Sequence, residues 1–244
     1  MIHFIGAGPG APDLLTLRAQ RLIAHCPVVV YAGSLVPDGV LAHARDDARL
    51  VDTQHLHLDQ IVAEYVRAHE RGEDVARLHS GDLSIYSAAA EQQRRLDALG
   101  IPWDVTPGVP AFAAAAAALQ RELTIPEVAQ TVILTRHRRR ASALPPGEQL
   151  EALAAHGATL VIHLGAQALD EIVATLVPHY GADCPAALVY RASWPDEQIV
   201  RAPLGELTAP GIRRTATIII GPALGAEGFR DSHLYSKERK RCSW

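Results

Sequence analysis

Residues 2–16, IHFIGAGPGAPDLLT, limit what this chain can fold into more than any other stretch. Ile2, Phe4 and Ile5 lead straight into Gly6, Gly8 and Gly10, and Pro9 and Pro12 interrupt the loop. Asp13 then stands before LLTLRAQRLI, whose apolar spacing is helical. The pattern predicts a buried strand, a tight turn and a helix over about 14–25. Glycine carries no Cβ, so such a turn lets a ligand or a second backbone come close.

The same alternation continues along the chain. Strands are expected at PVVVYA (27–32), RLVD (49–52), DVARLHSGD (74–82) and PWDVTPG (102–108). Between them lie a short helix at 37–44 and longer ones at 58–72, 88–100 and 111–120. Five strands separated by helices describe an open, mostly parallel α/β sheet. The rhythm breaks at RHRRRASALPPGE (136–148), after strand TVILT. A second set follows: helix 148–156, strand 159–165, helix 167–179, and strands 186–192, 198–203 and 216–221. The turn at 193–197 predicts an antiparallel hairpin. The chain thus divides into an N-terminal α/β domain (1–121), a C-terminal mixed α/β domain (122–225) and a basic tail (226–244).

A length of 244 residues suits one large domain or two of ordinary size. The net charge of -4 argues against nucleic acid as a main partner. No apolar run reaches the ~18–20 residues of a membrane helix, and the N-terminus enters a strand without a signal-peptide pattern. A cytoplasmic protein with no membrane partner is expected. Cys26, Cys184 and Cys242 are scattered, with no metal-ligand spacing, so neither a disulfide framework nor a bound metal is expected.

Gly6, Gly8 and Ala11 satisfy a loose dinucleotide motif, and Gly6, Gly8 and Gly10 a common methyltransferase one. Both folds need an acid at the end of the second strand to hold ribose hydroxyls. Here that strand ends Tyr31-Ala32-Gly33-Ser34, and Asp38 comes too late. Pro9 and Pro12 also lack the amide donors that phosphates require. The loop reads instead as part of a cleft that does not grip a phosphate. Two later strands also end in ligand-friendly turns, HSGDLSIYS (79–87) and TPGVPAF (106–112). Ser80, Gly81 and Asp82 offer small, hydrogen-bonding groups, and Ile85 and Tyr86 an apolar face. That combination suits a ligand with a flat apolar part and a cationic or hydroxyl part, although Asp82 or Ser84 could equally cap a helix.

GAGPGAPDLLT, VVVYAGSLV, RLHSGDLSIYS and VTPGVPAFAAAAAAL resemble successive motifs of the tetrapyrrole methyltransferase family, over residues 2 to about 221. YAGSLV (31–36), ELTIPEVAQTVILTR (122–136) and VYRASWPDEQIVR (189–201) are similar to its branch that methylates precorrin-4 at C(11). Where the family loop reads GPGDP, this chain has Ala11, which argues against a catalytic carboxylate there. The resemblance implies a homodimer of two-domain subunits, with S-adenosylmethionine in a cleft between the domains and S-adenosylhomocysteine as product. Carried over by motif, the cofactor residues are Pro9, Ser80, Gly81, Asp82, Ile85, Pro110, Ala111, Leu164, Tyr190, Ala192, Ala216 and Thr217. The implied substrate residues are Gly8, Gly10, Tyr31, Ser34, Arg136 and Arg191, with the glycines leaving room for a macrocycle and the arginines meeting its carboxylates.

A partly reduced tetrapyrrole carbon is nucleophilic already, so positioning can carry the reaction without a strong protein base. His79, Asp82 and Tyr86 are the candidates for any proton shuttle, against a structural role for each. Arg138, Arg139 and Arg140 could line the substrate site, bind nucleic acid or form a solvated loop. His55 and His57 could touch substrate or lie on a surface loop. Competing functions are action on cobalt-precorrin-4 or at another ring position, a non-catalytic tetrapyrrole carrier, and an NAD(P) oxidoreductase.

Overall fold

The computed structural model describes residues 1–137 and 144–233. Arg138, Arg139, Arg140, Cys242 and most of the basic tail lie outside the described residues. Backbone contacts divide the chain into a first unit, Met1–Ala114 with Arg191–Glu197, and a second made of the remainder. The sequence reading divides the chain at 121. The contacts divide it at 114/115, inside helix α5 (Ala111–Leu119), and group residues 191–197 with the first unit.

In the first unit five strands pair in parallel: β1 (Ile2–Gly6), β2 (Val28–Tyr31), β3 (Arg49–Asp52), β4 (Val75–His79) and β5 (Trp103–Thr106). Their order is β3-β2-β4-β1-β5. Side chains alternate across a strand, and both faces are covered, so the strands read as nearly continuous apolar runs. Ile5, Val29, Ala76 and Leu78 face one cluster with helices α1 (Leu17–His25) and α2 (Asp38–Leu41). Ile2, Phe4, Val28, Val30 and Val75 face the other, with helices α3 (Leu58–Glu70) and α4 (Ala89–Leu99). Each large apolar side chain buried here contributes about 1.5–3 kcal/mol.

Helix α1 starts later than its apolar spacing predicts. Pro12–Leu14 form a separate 3-10 turn, Leu15 is extended, and Thr16 caps the helix by accepting from the amide of Ala19 at 3.1 Å. The proline begins the first turn, and the threonine side chain decides where the helix proper begins.

Strands β1 and β4 are neighbours, yet the helix after β1 packs on one face and the helix after β4 on the other. Connections that part in this way open a crevice beyond the carboxyl ends of the two strands, where open α/β sheets bind ligands.

The second unit is a mixed sheet. Strands β6 (Val132–Arg136), β7 (Thr159–His163), β8 (Pro185–Tyr190), β9 (Gln198–Pro203) and β10 (Ala216–Ile220) run in the order β6-β7-β10-β8-β9. Only β6 and β7 pair in parallel; the other three ladders are antiparallel, including the expected β8–β9 hairpin. Leu160, Ile162, Leu188, Ile218 and Ile220 pack against helices α6 (Leu150–Ala154) and α7 (Leu169–Tyr180).

Candidate active site

The carboxyl ends of β1, β4 and β5 meet backbone to backbone. A Cβ on Gly6 would lie 2.7 Å from Gly108 Cα, and one on Gly108 would lie 2.7 Å from Gly6 C and collide with Gly81 O. Gly8, at φ +73°, exchanges both backbone hydrogen bonds with Gly81, at 3.1 and 2.7 Å. The glycine loop therefore turns back at the end of a parallel ladder and forms one antiparallel bridge. Glycine is required because chain lies against chain.

The turn after β4 is tied to this point. Asp82 Oδ2 accepts from the amide of Gly108 at 2.8 Å, and Oδ1 accepts from the Ser84 amide at 2.9 Å and from the Ser84 hydroxyl. Burial raises the Asp82 carboxyl, but the bonds from Ser84 and the amides of Gly108, Ser84 and Leu83 outweigh it and hold it below its ordinary range. The expected ligand acceptor is thus already the tie between the turns after β4 and β5. Tyr86 and Ala88 take left-handed backbone at φ 53°, and Ser87 Oγ donates to Leu83 O at 2.7 Å. Pro110 and Ala111 adjoin Gly81, with the Ala111 nitrogen 3.5 Å from a Cβ placed there.

Beneath the turn lies a polar network that sequence reasoning missed. Arg77 is buried; its Nε donates to Gln92 Oε1 and its Nη1 to Thr53 Oγ1, both at 3.2 Å. Tyr65 donates to the same Gln92 oxygen at 2.5 Å, and Thr53 Oγ1 donates to Tyr31 O at 2.9 Å. His79 is buried against Phe4, ring centroids 5.8 Å apart, with Nδ1 3.1 Å from Ser87 O. Burial, reinforced by the Arg77 charge, pushes the His79 imidazole down to about 3. It is neutral near pH 7, so Nδ1 carries the proton donated to Ser87 O. The signal that could have found the network was period two: Arg77 and His79 share a face with Val75.

The end of β2 is fastened from β3. Asp52 Oδ1 accepts from the amides of Gly33 and Gln54, both at 2.9 Å, and these bonds hold its carboxyl below its ordinary range. The acid that the second strand lacks is thus supplied by the neighbouring strand, and it is spent on backbone amides. Tyr31 is half-buried and Ser34 exposed on this turn. His55 and His57 are exposed, and His57 is the N-cap of α3, its amide donating to Gln60 Oε1 at 3.1 Å.

Residues 191–197 close on the glycine loop. Trp194 Nε1 donates to Pro9 O at 2.8 Å, and the Ala11 amide donates to Ser193 Oγ at 3.0 Å. The space at Gly10, expected to admit a macrocycle, is filled by the Trp194 indole, with which any Cβ there would collide. Arg191 pairs with Asp196 at 2.6 Å and lies 3.8 Å over the indole, so its guanidinium is engaged within its own segment. Ala192 is buried.

In the second unit the remaining predicted residues share one sheet edge. Arg136 ends β6 opposite His163, and Leu164 follows β7 in left-handed backbone, φ 56°, with its side chain 47% exposed. Tyr190 ends β8 directly opposite Ala216, the start of β10, and Thr217 beside it is buried. Left-handed backbone is uncommon for a non-glycine residue, and at Leu164 it carries a large apolar side chain that stays exposed. Small, apolar and hydroxyl side chains thus lie together at these strand ends of the second unit.

Residues 1–208 match the family described as Tetrapyrrole (Corrin/Porphyrin) Methylases. A Sinorhizobium precorrin-4 C(11)-methyltransferase is 56% identical over 98% of this chain and 96% of its own. A cobalt-precorrin-4 C(11)-methyltransferase of Methanocaldococcus jannaschii is 41% identical over 97% and 93%. Among solved structures, a cobalt precorrin-4 methyltransferase superposes with a TM-score of 0.88 at 38% identity, covering 91% of this chain and 95% of that one. A Thermus thermophilus uroporphyrin-III C-methyl transferase complexed with S-adenyl homocysteine superposes at 0.75 and 29%, covering 91% and 92%. Two α/β sheets, glycine-closed strand ends and likeness over nearly the whole chain lead to one conclusion: the chain belongs to the tetrapyrrole methylases.

Proposed function

We propose that this chain transfers a methyl group from S-adenosylmethionine to C(11) of precorrin-4, giving precorrin-5 and S-adenosylhomocysteine in corrin-ring synthesis. The observation that carries this reading is the 56% identity over almost the whole length of a precorrin-4 C(11)-methyltransferase. Identity to a relative named for the cobalt-containing substrate is lower, at 41%, which favours the cobalt-free one.

The cofactor, when bound, supplies an electrophilic methyl group on a sulfonium. In the first unit Pro9, Ser80, Gly81, Ile85, Pro110, Ala111 and Ala192 are assigned to its site. Asp82 acts there by fixing the turns that carry Ser80, Gly81 and Pro110. In the second unit Leu164, Tyr190, Ala216 and Thr217 are assigned to it. Tyr31, Ser34 and Arg136 are assigned to the substrate, with Arg136 meeting a carboxylate. The chain's contribution is alignment and exclusion of water, which can supply a large share of the acceleration. No helix among the described residues is long and apolar enough to cross a membrane. We assign the protein to the cytoplasm as a homodimer, without a nucleic-acid partner.

The test is incubation with methyl-labelled S-adenosylmethionine and, in separate arms, precorrin-4 and cobalt-precorrin-4. One methyl gained at C(11), faster on the metal-free substrate, is expected. No label in either tetrapyrrole overturns the activity, and preference for the cobalt form overturns the substrate. Asp82→Ala is expected to weaken S-adenosylhomocysteine binding by calorimetry about 10-fold while the protein stays folded, as loss of a charge-assisted tie predicts. Unchanged affinity removes Asp82 from the site.

A further inference from the structure

We propose that Trp194 is a positioning residue of the reaction, holding Pro9–Ala11 in the shape that receives the methyl donor. The proposal rests on the assignment of Pro9 to the cofactor.

Three consecutive loop residues are gripped by two consecutive residues far along the chain. The indole Nε1–H reaches Pro9 O at 2.8 Å, the indole occupies the space that glycine leaves at position 10, and Ser193 Oγ takes the Ala11 amide at 3.0 Å. The loop needs such a grip. It contains three glycines, of which Gly8 is left-handed, and Pro9 and Pro12 remove only part of the freedom that these give the backbone.

The gripping segment is built for the task. Arg191 and Ser193 hold left-handed backbone at φ 47° and 70°, against the preference of non-glycine residues. The conformation is over-determined by Trp194 N–H to Arg191 O at 2.9 Å, Ser193 N–H to Glu197 Oε2 at 2.6 Å and Glu197 N–H to Trp194 O at 3.1 Å. The Arg191 guanidinium, anchored by Asp196, covers the indole at 3.8 Å and fixes the ring plane. A residue that merely filled space would need neither the directed Nε1–H bond nor a strained, internally bonded support.

Trp194→Phe keeps an aromatic ring, though a smaller one, beside Gly10 and removes the donor to Pro9 O. We expect wild-type stability to urea, a 3- to 10-fold weaker calorimetric affinity for S-adenosylhomocysteine, and at least 10-fold faster hydrogen exchange at the Ala11 amide. In turnover, kcat falls about 10-fold while the KM for tetrapyrrole stays within twofold, because a misaligned donor loses geometry and not substrate. Trp194→Ala is expected to lose more in every readout. Gly10→Ala, which must displace the indole, is expected to match it in affinity for S-adenosylhomocysteine, and the double variant to be no worse than either single one.

Unchanged affinity and exchange in Trp194→Phe and Trp194→Ala overturn the proposal, as do losses that simply add in the double variant. If Trp194→Ala does not fold, Trp194→Phe and Ser193→Ala carry the test. If the wild type binds no S-adenosylhomocysteine, the cofactor assignment fails, and amide exchange at Ala11 still decides whether Trp194 holds the loop.

Discussion

The two sheets of this protein fix their strands with different chemistry. In the second, the face toward α6 and α7 is apolar: Leu160, Ile162, Leu188, Ile218 and Ile220 are all fully buried. In the first, the face toward α3 and α4 carries Ile2 and Val75 at its amino-terminal side, then Phe4 beside Arg77, then His79 where β4 ends. Above them, glycine backbones of β1, β4 and β5 touch directly. Apolar packing is set by volume and tolerates exchange of similar shapes. Buried hydrogen bonds and backbone contacts are set by direction and distance, and tolerate little. The stringent chemistry lies beneath the strand ends that form the crevice.

The largest expected effect tests the backbone contact. Gly108→Ala places a methyl group 2.7 Å from Gly6 C and O and into collision with Gly81 O. No side chain can rotate away, so strands must part. A loss of more than about 4 kcal/mol in urea unfolding is expected, at the extreme of single substitutions. A loss under 1 kcal/mol would show that the strand ends yield as a core does, and the contrast between the sheets would fall.

How far each region could be read in advance follows the same division. The continuous run Val28-Val29-Val30 turns side chains to both clusters and so reports burial on both faces directly, which makes the buried strands of the parallel first sheet legible. The turns after β1, β4 and β5 were legible as ligand-friendly because Gly and Pro mark them. Their partners were not. Nothing local to GAGPG says that Trp194 fills the space at Gly10, and nothing local to HSGD says that Asp82 bonds the Gly108 amide. The acid that fastens the end of β2, Asp52, stands on β3, where the local pattern after β2 gives no sign of it. These are pairings between distant residues, fixed by strand order, and strand order is not written in periodicity.

The next effect compares the two faces. Gln92 Oε1 accepts from both Arg77 and Tyr65, and Gln92 Nε2 donates to Ala88 O at 3.0 Å. Gln92→Leu keeps the volume and removes every one of these bonds. It leaves a buried guanidinium and a buried phenol short of an acceptor, at a cost of about 2–4 kcal/mol. Leu188→Met, equally buried in the second sheet, is expected to cost less than about 1.5 kcal/mol. Urea midpoints for the pair check this. Equal losses would mean that the first sheet's polar face is no more demanding than the second's apolar one.

The smallest effect is carried by pH and isolates His79. Its imidazole titrates near 3 in the folded chain, against an ordinary 6.5. As pH falls below 6.5 the unfolded chain takes up a proton that the folded chain refuses. Stability therefore declines from pH 6.5 toward 3 and is flat in this respect above 6.5, with a slope approaching 1.4 kcal/mol per pH unit. Between pH 6.5 and 5 the wild type should lose about 2 kcal/mol more than His79→Phe. The variant keeps an aromatic ring against Phe4 and loses the bond to Ser87 O, which offsets its curve without changing the slope. Parallel stability curves for the two proteins would mean that the folded chain admits the proton. The ring would then be open to water, and His79 would become a proton donor for the crevice above it.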